Sequence, residues 1–299
     1  MRLDDERESD NIEDQRGSGG GGGFGFPMGG GGFGLGGRGM GCGGIAVVIV
    51  LALVFGVNPL QLLGGGGEVV GPTAQIGQPR SATAPAASSE NDRFVRRVLA
   101  TTEDSWRTIL PDQAGVPYAD PTLVLYSGTG RSACGTAQSA MGPFYCPGDR
   151  KLYLDQSFFD ELGQKFGAPG DFAAAYVIAH EIGHHVQNLL GVLDQANAAQ
   201  ERGSKRDGNA VQIRVELQAD CFAGVWANAN KTLIEQGDVD EAMAAAAAVG
   251  DDRLQKQSQG VVIPDSFTHG SSAQRTRWFK RGLDSGRLDQ CDTFRAETI

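Results

Sequence analysis

Two histidines and a glutamate lie close together in the stretch AHEIGHHVQ, residues 179–187. His180 and His184 are four residues apart, a spacing that places both imidazoles on one face of a helix. Two imidazoles placed in this way can bind one metal ion, and Glu181 can reach a water molecule bound to that ion. The H-E-x-x-H pattern therefore indicates attack by a metal-activated water, with Glu181 as the general base.

A third ligand is required, because a catalytic zinc ion is usually held by three protein groups and keeps one position open. One class of catalytic zinc site takes its third ligand from the same segment and needs glycine at position 187 and histidine at position 190. These positions hold Gln187 and Leu190, so that class is excluded. Another class takes a glutamate from a second helix, and VELQADCFAG (215–224) offers Glu216, with Asp220 one turn later. We predict that Glu216 binds the ion and that Asp220 accepts a hydrogen bond from a ligand imidazole. A solvated acidic stripe is the alternative, but the apolar neighbours of both acids indicate a buried helix.

The other two histidines are weaker candidates. His185 lies about 100° around the helix from His184, so we predict a surface or packing residue and not a ligand. His269 stands in FTHGSSAQR, which resembles a His-x-x-x-x-x-Arg segment of prenyl-protein-type membrane metallopeptidases. That resemblance suggests a hydrogen bond from His269 to a tetrahedral oxyanion; a capping role before the last helix is the other possibility. Arg275 is then a candidate partner for Asp220.

Helices must position these residues, and the sequence predicts them. Asp171 as N-cap and Gly191 as the stop bound the helix that carries the two histidines, and a second helix over 209–230 carries Glu216. A strand over 121–128 and a hairpin over 141–155 predict a small sheet. The predicted fold class is α+β, mainly helical. Strand 151–155 either forms an edge that pairs with an extended peptide or is an ordinary hairpin strand.

The first quarter of the chain differs in composition from the rest. We predict a disordered, glycine-rich segment over 1–40, a transmembrane helix over 41–63, a flexible linker over 64–89 and a folded domain over 90–299. A cleaved signal peptide is disfavoured because the apolar run begins some forty residues in. A buried helix is disfavoured because both flanks are glycine-rich. The expected protein is a single-pass protein of the cell membrane with its domain outside the cytoplasm.

Charge and cysteine content restrict the partners and the compartment. A net charge of −10 argues against a nucleic-acid partner, which would require a basic surface. Cys42 lies in the first quarter, and the other four cysteines contain no CxxC pair. Four such cysteines are compatible with two disulfides, Cys134–Cys146 and Cys221–Cys291, and with export. Four reduced, buried thiols are the alternative.

Three motifs, AHEIGHHVQ, ELQADCFAG and FTHGSSAQR, together resemble the bacterial neutral zinc metallopeptidases of the membrane-anchored kind. RESDNIEDQRG and YCPGDRKLYLD extend the resemblance over nearly the whole chain. It implies a gluzincin-type, zincin-like domain behind an N-terminal anchor, with Zn2+ as cofactor and a protein or peptide as substrate. A catalytically silent, membrane-tethered zinc-binding scaffold and an envelope protein without metal are the alternatives.

Overall fold

The computed structural model describes residues 1–17 and 89–299. Within these ranges the chain forms helices and strands in an α+β arrangement that is mainly helical, which confirms the predicted class. The helices are α1 (Glu90–Ala114), α2 (Ser157–Gln164), α3 (Asp171–Leu189), α4 (Val192–Arg202), α5 (Lys205–Ala229), α6 (Asp238–Ala248), α7 (Asp251–Gln259) and α8 (Ser272–Ser285). The strands are β1 (Ile12–Asp14), β2 (Thr122–Leu125), β3 (Thr129–Ser132), β4 (Gly135–Gln138), β5 (Phe144–Cys146) and β6 (Lys151–Leu154).

The larger sheet has the strand order β1-β2-β6-β5. Strands β1, β2 and β6 are parallel, and β5 is antiparallel to β6. The predicted hairpin over 141–155 corresponds to β5 and β6. Of the two interpretations of strand 151–155, the edge strand is wrong and the hairpin strand is right, because β6 pairs with β5 on one side and with β2 on the other. The edge strand is β5. Strands β3 and β4 form a separate two-stranded hairpin.

Helix α3 runs through the centre of the molecule and contacts α1, α5 and α6. It is buried along most of its length because its first three turns are almost entirely apolar, as in the segment FAAAYVIA. The helix ends at Leu189, and Gly191 follows in the left-handed conformation with φ of 72°, a conformation that glycine adopts without strain. Helix α5 begins at a capping box, in which the Ser204 and Asp207 side chains each bind the other's backbone N–H.

Helices α5 and α8 cross at two glycines, and the pair makes the most extensive contact between helices of the described chain. A Cβ atom on Gly282 would overlap the carbonyl oxygen of Cys221, and one on Gly224 would overlap that of Phe279. The two backbones therefore touch directly. A side chain at either position would separate α8 from the helix that carries Glu216.

Both predicted disulfides are present. Cys134–Cys146 joins the turn between β3 and β4 to the end of β5. Cys221–Cys291 joins the middle of α5 to the segment that follows α8. Each bond therefore fixes an element that lies beside the candidate site described below.

The prediction of disorder over 1–40 is wrong for residues 1–17, which are part of the fold. Strand β1 pairs with β2, and Met1 and Leu3 are buried in the main core. The polar composition of this segment misled the prediction, since its charged side chains bind buried partners on α1. The predicted transmembrane helix over 41–63 and almost all of the predicted linker lie outside the described residues. Among the described helices, none has the length and apolar content needed to cross a bilayer.

Candidate metal centre

Two neighbouring helices bring three potential metal ligands together. His180 and His184 are one turn apart on α3, and Glu216 projects from α5. Glu216 Oε2 lies 3.3 Å from His180 Nε2 and 3.7 Å from His184 Nε2. One ligand atom from each of the three residues lies within 4.8 Å of the others. The predicted set is thus assembled in space, while its role as a metal-binding set stays a prediction.

The orientation of two of these side chains is fixed by glutamines that the sequence analysis did not identify. His184 Nδ1 lies 2.8 Å from Gln187 Oε1, and Gln187 Nε2 in turn donates to the Val215 carbonyl on α5. Gln212 Nε2 donates to Glu216 Oε1 at 2.9 Å. These bonds leave His184 Nε2 and Glu216 Oε2 directed toward the shared position. The signal in the sequence was the i,i+3 and i,i+4 spacing of each glutamine from its partner.

Asp220 orients His180, the third potential ligand, and is itself held by two buried groups. Its Oδ1 lies 2.8 Å from His180 Nδ1 and accepts a hydrogen bond from the Tyr176 hydroxyl at 2.5 Å. Arg275, on α8, binds both oxygens of Asp220, through Nε at 2.9 Å and Nη2 at 2.8 Å. The predicted pairing of Arg275 with Asp220 is therefore present. The Tyr176 hydroxyl is an additional partner of Asp220.

The acids and imidazoles at this position stabilise each other's charged forms. Burial opposes ionisation of Glu216, but the adjacent imidazoles of His184 and His180 outweigh it and hold the pKa of Glu216 well below its ordinary value. Burial would lower the pKa of His180, but Asp220 and Glu216 raise it to about 9. Asp220 and Glu216 therefore favour the charged form of His180, and a metal ion that binds its Nε2 takes the place of the proton there.

Glu181 lies in the wall of the same cavity and does not belong to the ligand cluster. The backbone N–H of Tyr145, on the edge strand β5, faces the Glu181 carboxylate and favours its charged form. Burial raises the pKa of Glu181, and the nearby imidazoles of His184 and His180 only partly offset this. A carboxylate with a raised pKa beside a metal position suits a general base, because its proton affinity is closer to working pH.

The two remaining histidines have different surroundings. His269 lines the cavity, and its Nδ1 lies 3.3 Å from Asp251 Oδ1. Burial disfavours its charged form, but Asp251 and Glu216 raise the pKa of His269 above its ordinary value. The capping interpretation of His269 is wrong, because Ser271 is the N-cap of α8. His185 is buried and outside the ligand cluster, where it packs between Tyr118 and Tyr145.

Gly183 allows the two ligand-bearing helices to approach each other. A Cβ atom at this position would lie 2.8 Å from the Ala219 carbonyl oxygen and 3.0 Å from its Cα. Gly183→Ala is therefore expected to push α3 and α5 apart, to cost about 1–3 kcal/mol in free energy of unfolding, and to weaken zinc binding. Thermal unfolding and competitive zinc titration measure the two effects.

Gly208→Ala, on α5, is the matched control, because the nearest atom to its added Cβ would be 3.9 Å away. That substitution should raise stability by about 0.5–1 kcal/mol. Equal melting temperature and zinc affinity in Gly183→Ala and the parent would show that the contact does not limit the helix approach.

His185 should make stability depend on pH. Its Nε2–H donates to the Ala119 carbonyl at 2.6 Å, and burial lowers the pKa of His185 to about 4. The unfolded chain binds a proton here below about pH 6.5, whereas the folded protein does not until about pH 4. The free energy of unfolding should therefore fall as the pH drops from about 6.5 to about 4, and this contribution should not change further at lower pH.

Urea unfolding from pH 4 to 7 measures the slope of the free energy of unfolding that His185 contributes. His185→Gln, whose amide can still donate to Ala119, should give a shallower one; an unchanged slope would assign the dependence to other groups.

The donor set fits zinc. Two imidazole nitrogens and one carboxylate oxygen are a known ligand set for catalytic zinc, and ligands about 2.0–2.2 Å from the ion in a tetrahedron lie roughly 3.3–3.6 Å apart. The two distances from Glu216 Oε2, 3.3 Å and 3.7 Å, agree with this. Each of the three side chains is also hydrogen-bonded through its other polar atom, as ligands of metal sites usually are.

Comparisons with known proteins identify the family of this chain. Residues 1–294 match the family described as "Putative neutral zinc metallopeptidase", and the chain belongs to this family. The resemblance found in the sequence motifs is therefore confirmed.

Two relatives show how far the similarity extends. The chain is 48% identical over 301 residues to the uncharacterized protein YpfJ of Escherichia coli K12, covering 98% of this chain and 99% of the relative. It is 44% identical over 228 residues to the uncharacterized protein Rv2575 of Mycobacterium tuberculosis H37Rv, covering 71% and 74% of the two chains. No matching solved structure was found.

Proposed function

We propose that this protein is a zinc-dependent peptidase that hydrolyses peptide bonds in extended segments of protein or peptide substrates. The observation that carries the proposal is the convergence of two imidazole Nε2 atoms and Glu216 Oε2 from separate helices, next to a buried carboxylate outside the ligand set. Family membership supports the same class of reaction.

Each residue of the site has a separate role in this proposal. His180, His184 and Glu216 hold the ion, which when bound polarises the scissile carbonyl and lowers the pKa of a water to about 7. Glu181 accepts the proton of the attacking water and passes it to the leaving amine. His269, which faces the cavity, donates a hydrogen bond to the oxygen that becomes negatively charged.

The cavity beside the ligands can hold a peptide. Its volume of about 400 Å³ lies in the range of small-molecule and side-chain pockets. Strand β5 contributes Phe144 and Tyr145 to one side, and it pairs only with β6 among the described strands. An extended peptide can therefore add to the outer side of β5 by backbone hydrogen bonds. Phe158, Phe166 and Leu254 form an apolar part of the wall, which suits an apolar substrate side chain.

Metal analysis combined with a protease assay tests the proposal. Purified protein should contain one zinc ion per chain and should cleave an unstructured protein such as casein. Removal of zinc with a chelator should abolish cleavage, and addition of zinc should restore it. Stoichiometric zinc without cleavage would favour the silent scaffold, and the absence of zinc would overturn the proposal.

A further inference from the structure

The N-terminal segment, residues 1–17, supplies most of the partners of a buried charge in the domain. Glu103, on α1, is fully buried, and its carboxylate accepts hydrogen bonds from Arg7 Nη2 at 2.6 Å, Ser9 Oγ at 2.5 Å and Asn11 Nδ2 at 2.8 Å. Without this segment, the ion pair left to Glu103 among the described residues would be the one with Arg107, 4.0 Å away. A buried carboxylate that loses its partners strongly destabilises a fold. The N-terminal segment is therefore an integral part of the domain.

The chain leaves the domain and returns to it at one place. Arg16 lies next to the last described residue of the N-terminal segment, and Asp92 lies in the first turn of α1. The Arg16 guanidinium binds both oxygens of Asp92, at 2.7 Å and 3.0 Å. Gln156 also binds each partner, so the junction is tied to the turn before α2. The two ends of the chain over 18–88 are thus held within the length of one side chain.

A single membrane crossing between these ends conflicts with this arrangement. Neighbouring strands lie about 4.8 Å apart, and β1 is a neighbour of β2. The hydrocarbon core of a bilayer is about 30 Å thick. One crossing over 41–63 would place β1 on the opposite side of the bilayer from β2. The two strands could not then form one sheet.

We infer that residues 1–17 and 89–299 lie on the same side of any membrane that the protein contacts, so that the chain between them makes no net crossing. This replaces the single-pass topology expected from the sequence. The apolar run Ile45–Val57 reaches the roughly 20 residues of a spanning helix only when its flanking glycines and the turn at Asn58-Pro59 are included. The inference does not depend on the proposed peptidase activity.

The inference also assigns the N-terminal segment to a compartment. Two disulfides lie in the domain, and disulfides persist in oxidising compartments. The N-terminal segment must then share that compartment, although a single-pass topology would leave it in the cytoplasm.

Thiol labelling in cells that produce the full chain tests the inference. Cys42→Ser removes the cysteine outside the two disulfides, and Asp4→Cys or Glu201→Cys then places one thiol at an exposed position in either part. A membrane-impermeant maleimide is applied to intact and to permeabilised cells. The two variants should show the same ratio of labelling before and after permeabilisation. Labelling of one in intact cells and of the other only after permeabilisation would overturn the inference.

A second measurement uses the native side chains in isolated membranes. Lys151 Nζ lies 2.5 Å from Glu13 Oε2, so a zero-length carbodiimide should join β6 to β1. Mass spectrometry should detect this cross-linked peptide together with the Lys280–Asp284 cross-link, which lies within α8 and is the positive control. Glu13→Gln should remove only the first product. Detection of the control product without the Glu13–Lys151 product would contradict the inference.

Discussion

Glu181→Gln is expected to lower the rate of casein cleavage by about 10²–10⁴-fold, the usual contribution of general acid–base catalysis, without changing the zinc content. The amide has nearly the same shape as the carboxylate and can keep the contact with the Tyr145 backbone through its oxygen. It cannot accept the proton of the attacking water. Metal analysis and initial rates of cleavage measure the two quantities on one preparation.

Glu201→Gln is the matched control, because Glu201 is an exposed glutamate on α4. It should retain both zinc and activity. Undiminished cleavage by Glu181→Gln would remove Glu181 from the mechanism, and loss of zinc would show that Glu181 contributes to binding the ion.

Glu216→Gln is expected to lose zinc and, as a consequence, activity. The substitution removes the only carboxylate of the ligand cluster and leaves two imidazoles. Changes in groups that merely orient a ligand already cost about 10–100-fold in metal affinity, so the loss here should exceed about 100-fold. Competition with a zinc-binding dye measures the affinity, and circular dichroism verifies that the helices are retained.

Asp284→Asn is a control for the loss of one acidic group, since Asp284 is exposed on α8 and pairs with Lys280. It should bind zinc like the parent. The two substitutions are therefore expected to have opposite effects on zinc content, because Glu181→Gln should keep the ion and Glu216→Gln should lose it. A Glu216→Gln protein that binds zinc with parental affinity would contradict the assigned ligand set.

Local patterns in the sequence were sufficient for the elements that bear the site. The helix carrying His180 and His184 had a continuous apolar run and a glycine stop, and α3 ends where that glycine predicts. The convergence of Glu216 with the histidines could be expected because two acids at i,i+4 in an apolar helix need a cation nearby. The orienting glutamines were missed because a glutamine carries no charge that demands a partner.

The long-range features were beyond such patterns. Strand β1 has only three residues, IED, with no alternation of apolar and polar side chains. Its place in the fold depends on partners about ninety residues away, such as Glu103 for Ser9. The edge strand is β5 and not β6 because β2 pairs in parallel with β6. No local spacing in the sequence reveals that pairing.

Because Arg275 lies late in the chain, the site is completed late in synthesis. The proposed zinc ligands belong to α3 and α5, but the guanidinium that holds Asp220 belongs to α8, the last of the described α-helices. A ribosome completes all three ligands before it reaches Arg275, and the second disulfide must wait longer still, for Cys291. During synthesis Asp220 therefore lacks its guanidinium partner, and the finished constellation appears only after translation has passed α8.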